Sequence, residues 1–378
     1  MNHLLERLTK PGPKRILTID GGGIRGALAV GFIEKLELML RQRYGKPDLR
    51  LCEYFDFIGG TSTGAIIAST LSLGLSAAEI KKYYLEVGSY IFGIKRKVNN
   101  LKDWKYIWRG QQYDYQPLEK TLKEAFNDIK IGDPQIKTGL CIVAKRADTQ
   151  STWPIINHPN GKFYPLNKDI PLWQVVRAST AAPGFFRPEM MQVGNNEPAV
   201  FIDGGMSMFN NPAFLLFLIA TLKGFPFQWQ TGDDNLLLVS VGTGMFSTKR
   251  NIKKAYNRKV LGIFKDLPAI FLNDANKLNQ TILQYISNSP TPLEIDGEMG
   301  YLDNDLLTPN PALHYLRYNV KLEKDALESF GLNYPANEIY NFRKIDNIAS
   351  TSELAKIGEI VADKTVLPEH FPPHFDIY

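Results

Sequence analysis

The stretch Ile16–Glu37, "ILTIDGGGIRGALAVGFIEKLE", decides the fold, because an apolar strand-like run leads through four glycines into a helical pattern. Gly21, Gly23 and Gly26 fit the G-x-G-x-x-G spacing that binds the pyrophosphate of a dinucleotide. The backbone N–H groups of the same turn, at the start of a helix, equally suit the oxyanion of an acyl transfer. The rest of the sequence has to decide between the two.

Composition indicates an ordinary globular chain of 378 residues, with 44% hydrophobic and 22% charged residues. Such a chain buries one large core or two moderate ones. The net charge of +5 favours anionic surfaces such as phospholipid headgroups and is too small to indicate a nucleic-acid polymer as partner. Cys52 and Cys141 lie in apolar runs without metal-ligand spacing, which predicts buried thiols in a reducing compartment.

The N-terminus, "MNHLLERLTKPGPKR", has charges inside its only apolar patch and lacks a cleavage site, so we expect a cytoplasmic protein. The uncharged stretch 57–78 is long enough to cross a bilayer. Its first half is rich in Gly, Ser and Thr, which favours a buried strand, turn and helix.

Residues 14–245 alternate β-branched runs with helical patterns, which predicts an α/β fold with a mainly parallel sheet covered on both faces. Sites in such sheets lie at the carboxyl ends of the strands. We therefore expect the glycine turns after Ile19, Ile58 and Ile202 to meet at one edge. After Gly244 the sequence shows a basic run, polar helical stretches and no further convincing β-α-β unit. This predicts one α/β domain over 14–248 and a mostly helical extension, 249–378, packed on it.

The second glycine turn, Gly60-Thr61-Ser62-Thr63-Gly64, is a G-x-S-x-G between a strand and a helix. A serine held in so sharp a turn needs small neighbours, and the helix N-terminus behind it stabilises negative charge. The third turn is Asp203-Gly204-Gly205. An aspartate there either caps the next turn or, within reach of Ser62, acts as its general base.

A dinucleotide-binding fold needs a second strand that ends in an acidic residue about 20 positions after its glycine turn. The first glycine turn is not followed by such a strand. Here a Gly-Lys-Pro-Asp loop follows and the next strand ends in the serine turn. Gly22 and Gly23 are therefore candidate oxyanion donors opposite Ser62. Arg25 is either a partner for a substrate phosphate or a surface arginine.

Four blocks together resemble, in order and spacing, those of patatin-like phospholipases. They are Asp20–Gly26, Gly60–Gly64, Ala178–Phe186 ("ASTAAPGFF") and Asp203–Gly205. The resemblance covers about residues 14–215 and implies a patatin-like three-layer α/β/α fold and a phospholipase A type lipid acyl hydrolase without metal or cofactor. It also implies Ser62 as nucleophile, Asp203 as base, Gly22 and Gly23 as oxyanion donors, Arg25 near the phosphate and the Ala-Ala-Pro segment as site lining.

The C-terminal segments "YLRYNV" and "KIDNIASTSELAKIGEIVADK" look like the tail of bacterial members of that family. Some of those are antiphage-defence effectors gated by cyclic dinucleotides, so we expect such an activator, and action at the inner face of the membrane.

Two basic runs, Lys95–Lys97 and Lys249–Lys259, lie near tyrosines. They either bind the phosphates of a nucleotide whose bases stack on these tyrosines or form solvated surface. The aromatic and basic stretch 91–115 suits a membrane interface or a solvated loop. A homo-oligomer is compatible with the sequence.

Two rival functions remain. An α/β-hydrolase would need a Ser-Asp-His triad with His314, His370 or His374 as base, but that fold has several strands before its serine turn. His3 and His158 are interpreted as surface residues. A non-catalytic nucleotide-binding protein would leave Ser62 and Asp203 without a role.

Overall fold

An eight-stranded sheet forms the centre of the chain in a computed structural model that describes residues 3–92, 112–194, 197–246, 252–257, 260–303 and 305–377. Its strands are β1 Lys14–Ile19, β2 Phe57–Thr61, β3 Gly139–Arg146, β4 Thr152–Ile156, β5 Glu189–Val193, β6 Glu197–Asp203, β7 Leu236–Val241 and β8 His314–Tyr318. The described helices are α1 His3–Thr9, α2 Gly26–Tyr44, α3 Leu51–Tyr54, α4 Thr63–Leu73, α5 Ala77–Phe92, α6 Gln116–Phe126, α7 Tyr164–Asn167, α8 Leu172–Ser179, α9 Ala213–Thr221, α10 Ile252–Tyr256, α11 Val260–Tyr285, α12 Lys324–Ser329, α13 Ala336–Phe342 and α14 Thr351–Thr365.

The sheet has the strand order β5-β6-β3-β2-β1-β7-β8, with β4 paired to β3 off this path. Strands β3, β2, β1, β7 and β8 run parallel to one another. The pairings β3–β4, β3–β6 and β5–β6 are antiparallel. The sheet is therefore mainly parallel, as predicted, with an antiparallel side that the sequence did not reveal.

Successive side chains of β1 enter two different cores, because strand side chains alternate between the faces of a sheet. Leu17 and Ile19 pack with the apolar faces of α2 and α14. Ile16 packs on the other face with α9 and Trp229. This gives the three-layer α/β/α architecture, and both cysteines are buried free thiols within it.

The C-terminal part contributes to the central sheet, contrary to our expectation that no β-α-β unit follows Gly244. Helix α11 connects β7 to β8, and β8 extends the sheet in parallel, with Leu237 opposite His314 and Val241 opposite Tyr318. The five residues of β8 read "HYLRY", a short run with an internal arginine that does not look like a buried strand. Strands β4 and β5 were not foreseen either, since one is a five-residue run with an internal proline and the other a five-residue run with polar and charged residues.

The uncharged stretch 57–78 forms β2 and α4 inside the fold, as the sequence favoured. Across the part of the chain that the structure describes, no helix has both the length and the apolar character that a bilayer crossing requires.

Candidate active site

Ser62 lies in a sharp turn between β2 and α4. Its φ of 55° and ψ of −121° belong to a strained backbone region for a residue with a side chain. The flanking glycines permit it, because a Cβ on Gly60 would be 2.1 Å from the Gly64 carbonyl oxygen and one on Gly64 would be 2.2 Å from that of Ile19. The local sequence thus holds a serine at the N-terminus of a helix in a conformation that its neighbours enforce.

Asp203 reaches Ser62 because β6 meets β2 end to end. Ala144 and Lys145 of β3 pair with both β4 and β6, so these two strands lie on opposite edges of β3. Strand β2 occupies the same edge as β6, up to the pairing of Thr61 with Val143. The next position on that edge is Asp203, opposite Ala144. Two strands running in opposite directions therefore end at one point.

The Ser62 hydroxyl donates a hydrogen bond of 2.6 Å to Oδ2 of Asp203. The other carboxylate oxygen, Oδ1, accepts a bond of 2.7 Å from the Gly205 N–H. Asp203 is buried, and burial raises its pKa to about 6, against the opposing effect of these two donors. A carboxylate with a pKa close to neutral and a bound serine hydroxyl is suited to general-base chemistry.

Ser179, the last residue of α8, holds the serine turn from behind. Its hydroxyl accepts a bond of 2.9 Å from the Ser62 N–H and donates one of 2.6 Å to the Val143 carbonyl. Ser179 lies in the segment Ala178–Phe186, but no local pattern indicated this role for it. Tyr84 of α5, also unforeseen, hydrogen-bonds the hydroxyl of Thr63, next to Ser62.

The first glycine turn lies beside Ser62, since a Cβ on Gly21 would be 3.3 Å from the Ser62 Cβ. Gly21 donates its N–H to the Asn210 carbonyl at 3.0 Å, and its own carbonyl accepts the Thr243 hydroxyl at 2.8 Å. Within the described residues, the N–H groups of Gly22 and Gly23 have no hydrogen-bond acceptor. Gly22 and Gly23 line the same cavity as Ser62, and an oxyanion hole requires unpaired backbone donors of this kind.

Ser62 and Asp203 line a cavity of 1330 Å³. Among the predicted site residues, Gly21, Gly22, Gly23, Arg25 and Gly205 also line it, whereas Gly26, Gly60, Gly64 and Gly204 do not. The predicted lining segment contributes Thr180, Ala182, Pro183, Phe185 and Phe186.

Arg25 lines the cavity as a buried residue, 8% exposed, and so it is not a surface arginine. Nη1 donates to the Gly244 carbonyl at 3.2 Å, and the guanidinium stacks 5.6 Å from the Phe246 ring centre. Its Nε has no partner among the described residues. Burial lowers the pKa of Arg25 to about 10, so the side chain remains a cation at neutral pH.

The histidines lie elsewhere. All five are described, and none lines the cavity. His314 contacts Asp233 through Nδ1 and the His370 carbonyl through Nε2, which uses both ring nitrogens. His158 is fully buried, contrary to our interpretation of a surface residue, and burial lowers its pKa to about 4. The arrangement offers no histidine base to Ser62, which disfavours the α/β-hydrolase alternative.

The basic run Lys95–Lys97 and most of the stretch 91–115 lie outside the described residues, as does much of Lys249–Lys259. Tyr256 of α10 is described and is 89% exposed.

A family model described as Patatin-like phospholipase matches residues 17–217. The chain belongs to the patatin-like phospholipase family. Patatin-17 of Solanum cardiophyllum is 28% identical over 261 residues, which are 65% of this chain and 63% of that protein. The "Probable inactive patatin-like protein 9" of Arabidopsis thaliana is 28% identical over 242 residues, 61% of this chain and 60% of that protein. The chain thus spans less than two thirds of the length of these relatives.

The solved structure of VipD from Legionella pneumophila shares 15% identity, with a TM-score of 0.36, over 92% of this chain and 67% of that one. The family match ends at residue 217, whereas the described cavity continues well beyond it. Thr243, Arg317 and Ile345 all line the cavity and all follow the matched region.

Proposed function

We propose that the chain is a serine lipid acyl hydrolase of the phospholipase A type, which cleaves ester bonds of membrane phospholipids through a Ser62–Asp203 dyad. The observation that carries the proposal is the 2.6 Å bond from the Ser62 hydroxyl to a buried carboxylate. Family membership alone does not decide activity, because one of the relatives is named as probably inactive.

In the proposed reaction, Ser62 Oγ attacks the ester carbonyl carbon and its proton moves to Oδ2 of Asp203. The negative charge on the carbonyl oxygen is stabilised by the N–H groups of Gly22 and Gly23. The tetrahedral intermediate expels the alcohol, which takes the proton from Asp203 and leaves an acyl group on Ser62. Water then attacks this acyl group while Asp203 accepts its proton. The second tetrahedral intermediate releases the fatty acid as the bond to Ser62 Oγ breaks, and Ser62 Oγ takes the proton back from Asp203.

The cavity suits a long amphiphile. Its 1330 Å³ exceeds the range of about 300–1,000 Å³ that small-ligand pockets occupy. Its lining offers apolar or aromatic side chains for an acyl chain, namely Ile66, Tyr83, Tyr84, Leu118, Phe185 and Phe186. Arg25, with its unpaired Nε, supplies the cation for the substrate phosphate.

The surface beside the cavity supports action at a membrane face. Met206 and Ile270 line the cavity and are also 39% and 40% exposed. Met208, two residues after Met206, is 61% exposed, and Phe271, directly after Ile270, is 67% exposed. Helix α11, which carries Ile270 and Phe271, packs against the turn that contains Met206. Apolar side chains in this position would let lipid pass from a bilayer to Ser62.

The division into a catalytic domain, 14–248, and a C-terminal extension, 249–378, is part of the proposal, with the extension completing the site.

Activation by a cyclic dinucleotide also remains a proposal. It is supported by the resemblance of the tail and by the danger that an unrestrained phospholipase poses to its own membrane. Liposome hydrolysis and thermal unfolding, each measured with a panel of cyclic dinucleotides, test this activation. Full hydrolysis without any nucleotide, together with no thermal shift with any of them, contradicts it.

The dyad is tested with a soluble short-chain chromogenic ester and with phospholipid vesicles. Ser62→Ala and Asp203→Asn should each abolish nearly all hydrolysis of both, and the double variant should be little worse, because groups that act in one step are not additive. Asp148→Asn is the matched control, since Asp148 pairs with Arg146 outside the cavity. Full activity in either single variant with an intact fold would contradict the dyad, and loss of activity in folded His314→Ala would favour the triad.

A further inference from the structure

The two unpaired N–H groups of the first glycine turn lie between fixed points. Before them, Asp20 donates its N–H to the Val241 carbonyl at 3.0 Å. After them, Ile24 donates its N–H to the Ile345 carbonyl at 2.9 Å. The orientation of the Gly22 and Gly23 donors therefore depends on how firmly both ends of this turn are held.

The Asp20 side chain is held by Arg317 of β8. The guanidinium binds both carboxylate oxygens, Nη1 to Oδ1 at 2.9 Å and Nη2 to Oδ2 at 2.6 Å. Nη1 also donates to the Ser240 hydroxyl at 2.7 Å, which anchors the guanidinium to β7. Both Arg317 and Asp20 are 4% exposed, and both line the cavity.

We propose that Arg317 is a positioning residue for the proposed acyl transfer, which holds the Gly22–Gly23 donors in place through Asp20. The inference rests on the proposed function. The hydrogen bonds of the Arg317 side chain go to Asp20 and Ser240 and not to Ser62, so it acts on the reaction through the turn that Asp20 begins. Arg317 follows the region matched by the family model by 100 residues.

Arginine is suitable here because its guanidinium binds both oxygens of one carboxylate. Two parallel N–H donors fix the carboxylate in distance and in rotation, whereas the single ammonium of lysine fixes distance alone. An oxyanion hole works by preorganisation, and a displacement of about 1 Å costs on the order of 100-fold in rate. If the turn could rotate about Asp20, kcat would therefore fall more than the affinity for substrate.

Arg317→Lys is the first test, measured as kcat and KM for a soluble short-chain ester together with Tm. The expected result is a loss of about 10-fold or more in kcat, with KM within about twofold of the parent. Arg15→Lys is the matched control, because Arg15 makes the same two-pronged contact to buried Asp56, at 3.0 and 3.2 Å, at the opposite end of β1. It should lower Tm while leaving kcat at the parent value.

A double variant, Arg317→Met with Asp20→Leu, separates positioning from stability. Breaking a buried ion pair on one side leaves a lone buried charge, whereas replacing both members with apolar residues is often tolerated. The expected result is a Tm close to the parent with kcat still lowered about 100-fold. A double variant that recovers both Tm and kcat would show a merely structural pair and overturn the proposal.

The outcomes also separate this inference from the proposed function. Parent-like kcat in Arg317→Lys, with Ser62→Ala inactive, overturns the positioning role alone. Full hydrolysis in Ser62→Ala, or none in the parent, overturns the proposed function and this inference with it. A double variant that does not fold leaves the decision to Arg317→Lys and Arg15→Lys, which keep the charge at each site.

Discussion

Replacing Asp203 with asparagine should make the protein inactive and, at alkaline pH, more stable. Asparagine has the shape of aspartate, so its oxygen keeps the Gly205 N–H bond and its amide nitrogen donates to the Ser62 hydroxyl. What disappears is a buried charge. Burial raises the pKa of Asp203 from an ordinary 3.8 to about 6, which means that the folded protein resists ionisation of this carboxyl.

The magnitude follows from this rise in pKa, since each unit corresponds to about 1.4 kcal/mol. Ionised Asp203 therefore costs about 3 kcal/mol of folding free energy well above pH 6. Because the folded state holds its proton more tightly than the unfolded state, stability falls as pH rises from about 4 to about 6. Below pH 4 both states are protonated and the cost vanishes.

Thermal unfolding measured from pH 4 to pH 8 checks this. With an unfolding entropy of about 2.1 cal/mol/K per residue, about 3 kcal/mol corresponds to about 4 °C for a chain of this size. Asp203→Asn should therefore unfold about 4 °C above the parent at pH 8, with the difference fading toward pH 4. Ser62→Ala, equally inactive, leaves the carboxylate buried with one donor fewer, so it should show no such gain. If Asp203→Asn gains nothing at pH 8 relative to pH 4, the carboxyl does not resist ionisation and this reasoning is wrong.

Three further outcomes are expected. The acid limb of kcat/KM for a soluble ester should report an apparent pKa of about 6, because protonated Asp203 cannot accept the Ser62 proton; a limb near pH 4 would contradict this. Gly22→Ala should lower kcat about 100-fold with little change in KM, because the new Cβ would lie 2.3 Å from the Thr243 hydroxyl and displace the turn; an unchanged kcat would exclude the donor role. Phe271→Ser should weaken vesicle binding and vesicle hydrolysis several-fold while leaving the soluble ester unaffected, because the side chain is exposed beside the cavity; equal loss on both substrates would indicate damage to the site itself.

The elements of the fold that local pattern encodes were predictable. The glycine turns after β1 and β2, and the helices that follow them, appear where apolar periodicity and small residues indicate them. The serine turn was predictable for the same reason, since Gly60 and Gly64 stand within two residues of Ser62. Strands β4, β5 and β8 were missed because each is a five-residue run that contains proline, polar or charged residues, whereas the equally short β2 is marked by the glycines of the serine turn.

The meeting of Ser62 and Asp203 was predicted from a premise that the structure corrects. We expected all three glycine turns to follow parallel strands and meet at their carboxyl ends. Strand β6 instead runs antiparallel to β3 and ends head-on against β2. Strand direction depends on how the chain returns to the sheet through residues 147–196, and no local pattern records that path.

The sequence by itself determined the class of fold, through strand and helix patterns that alternate over residues 14–245. It also determined the serine turn and the first glycine turn, because each depends on backbone geometry within a few residues. Only the tertiary structure decided which residues support them. Arg317 reaches Asp20 across 297 positions of sequence, and Ser179 reaches the Ser62 N–H across 117. Such contacts follow from the order of strands in the sheet, since β8 lies two strands from β1, and a pairing between distant strands leaves no periodic mark on the chain.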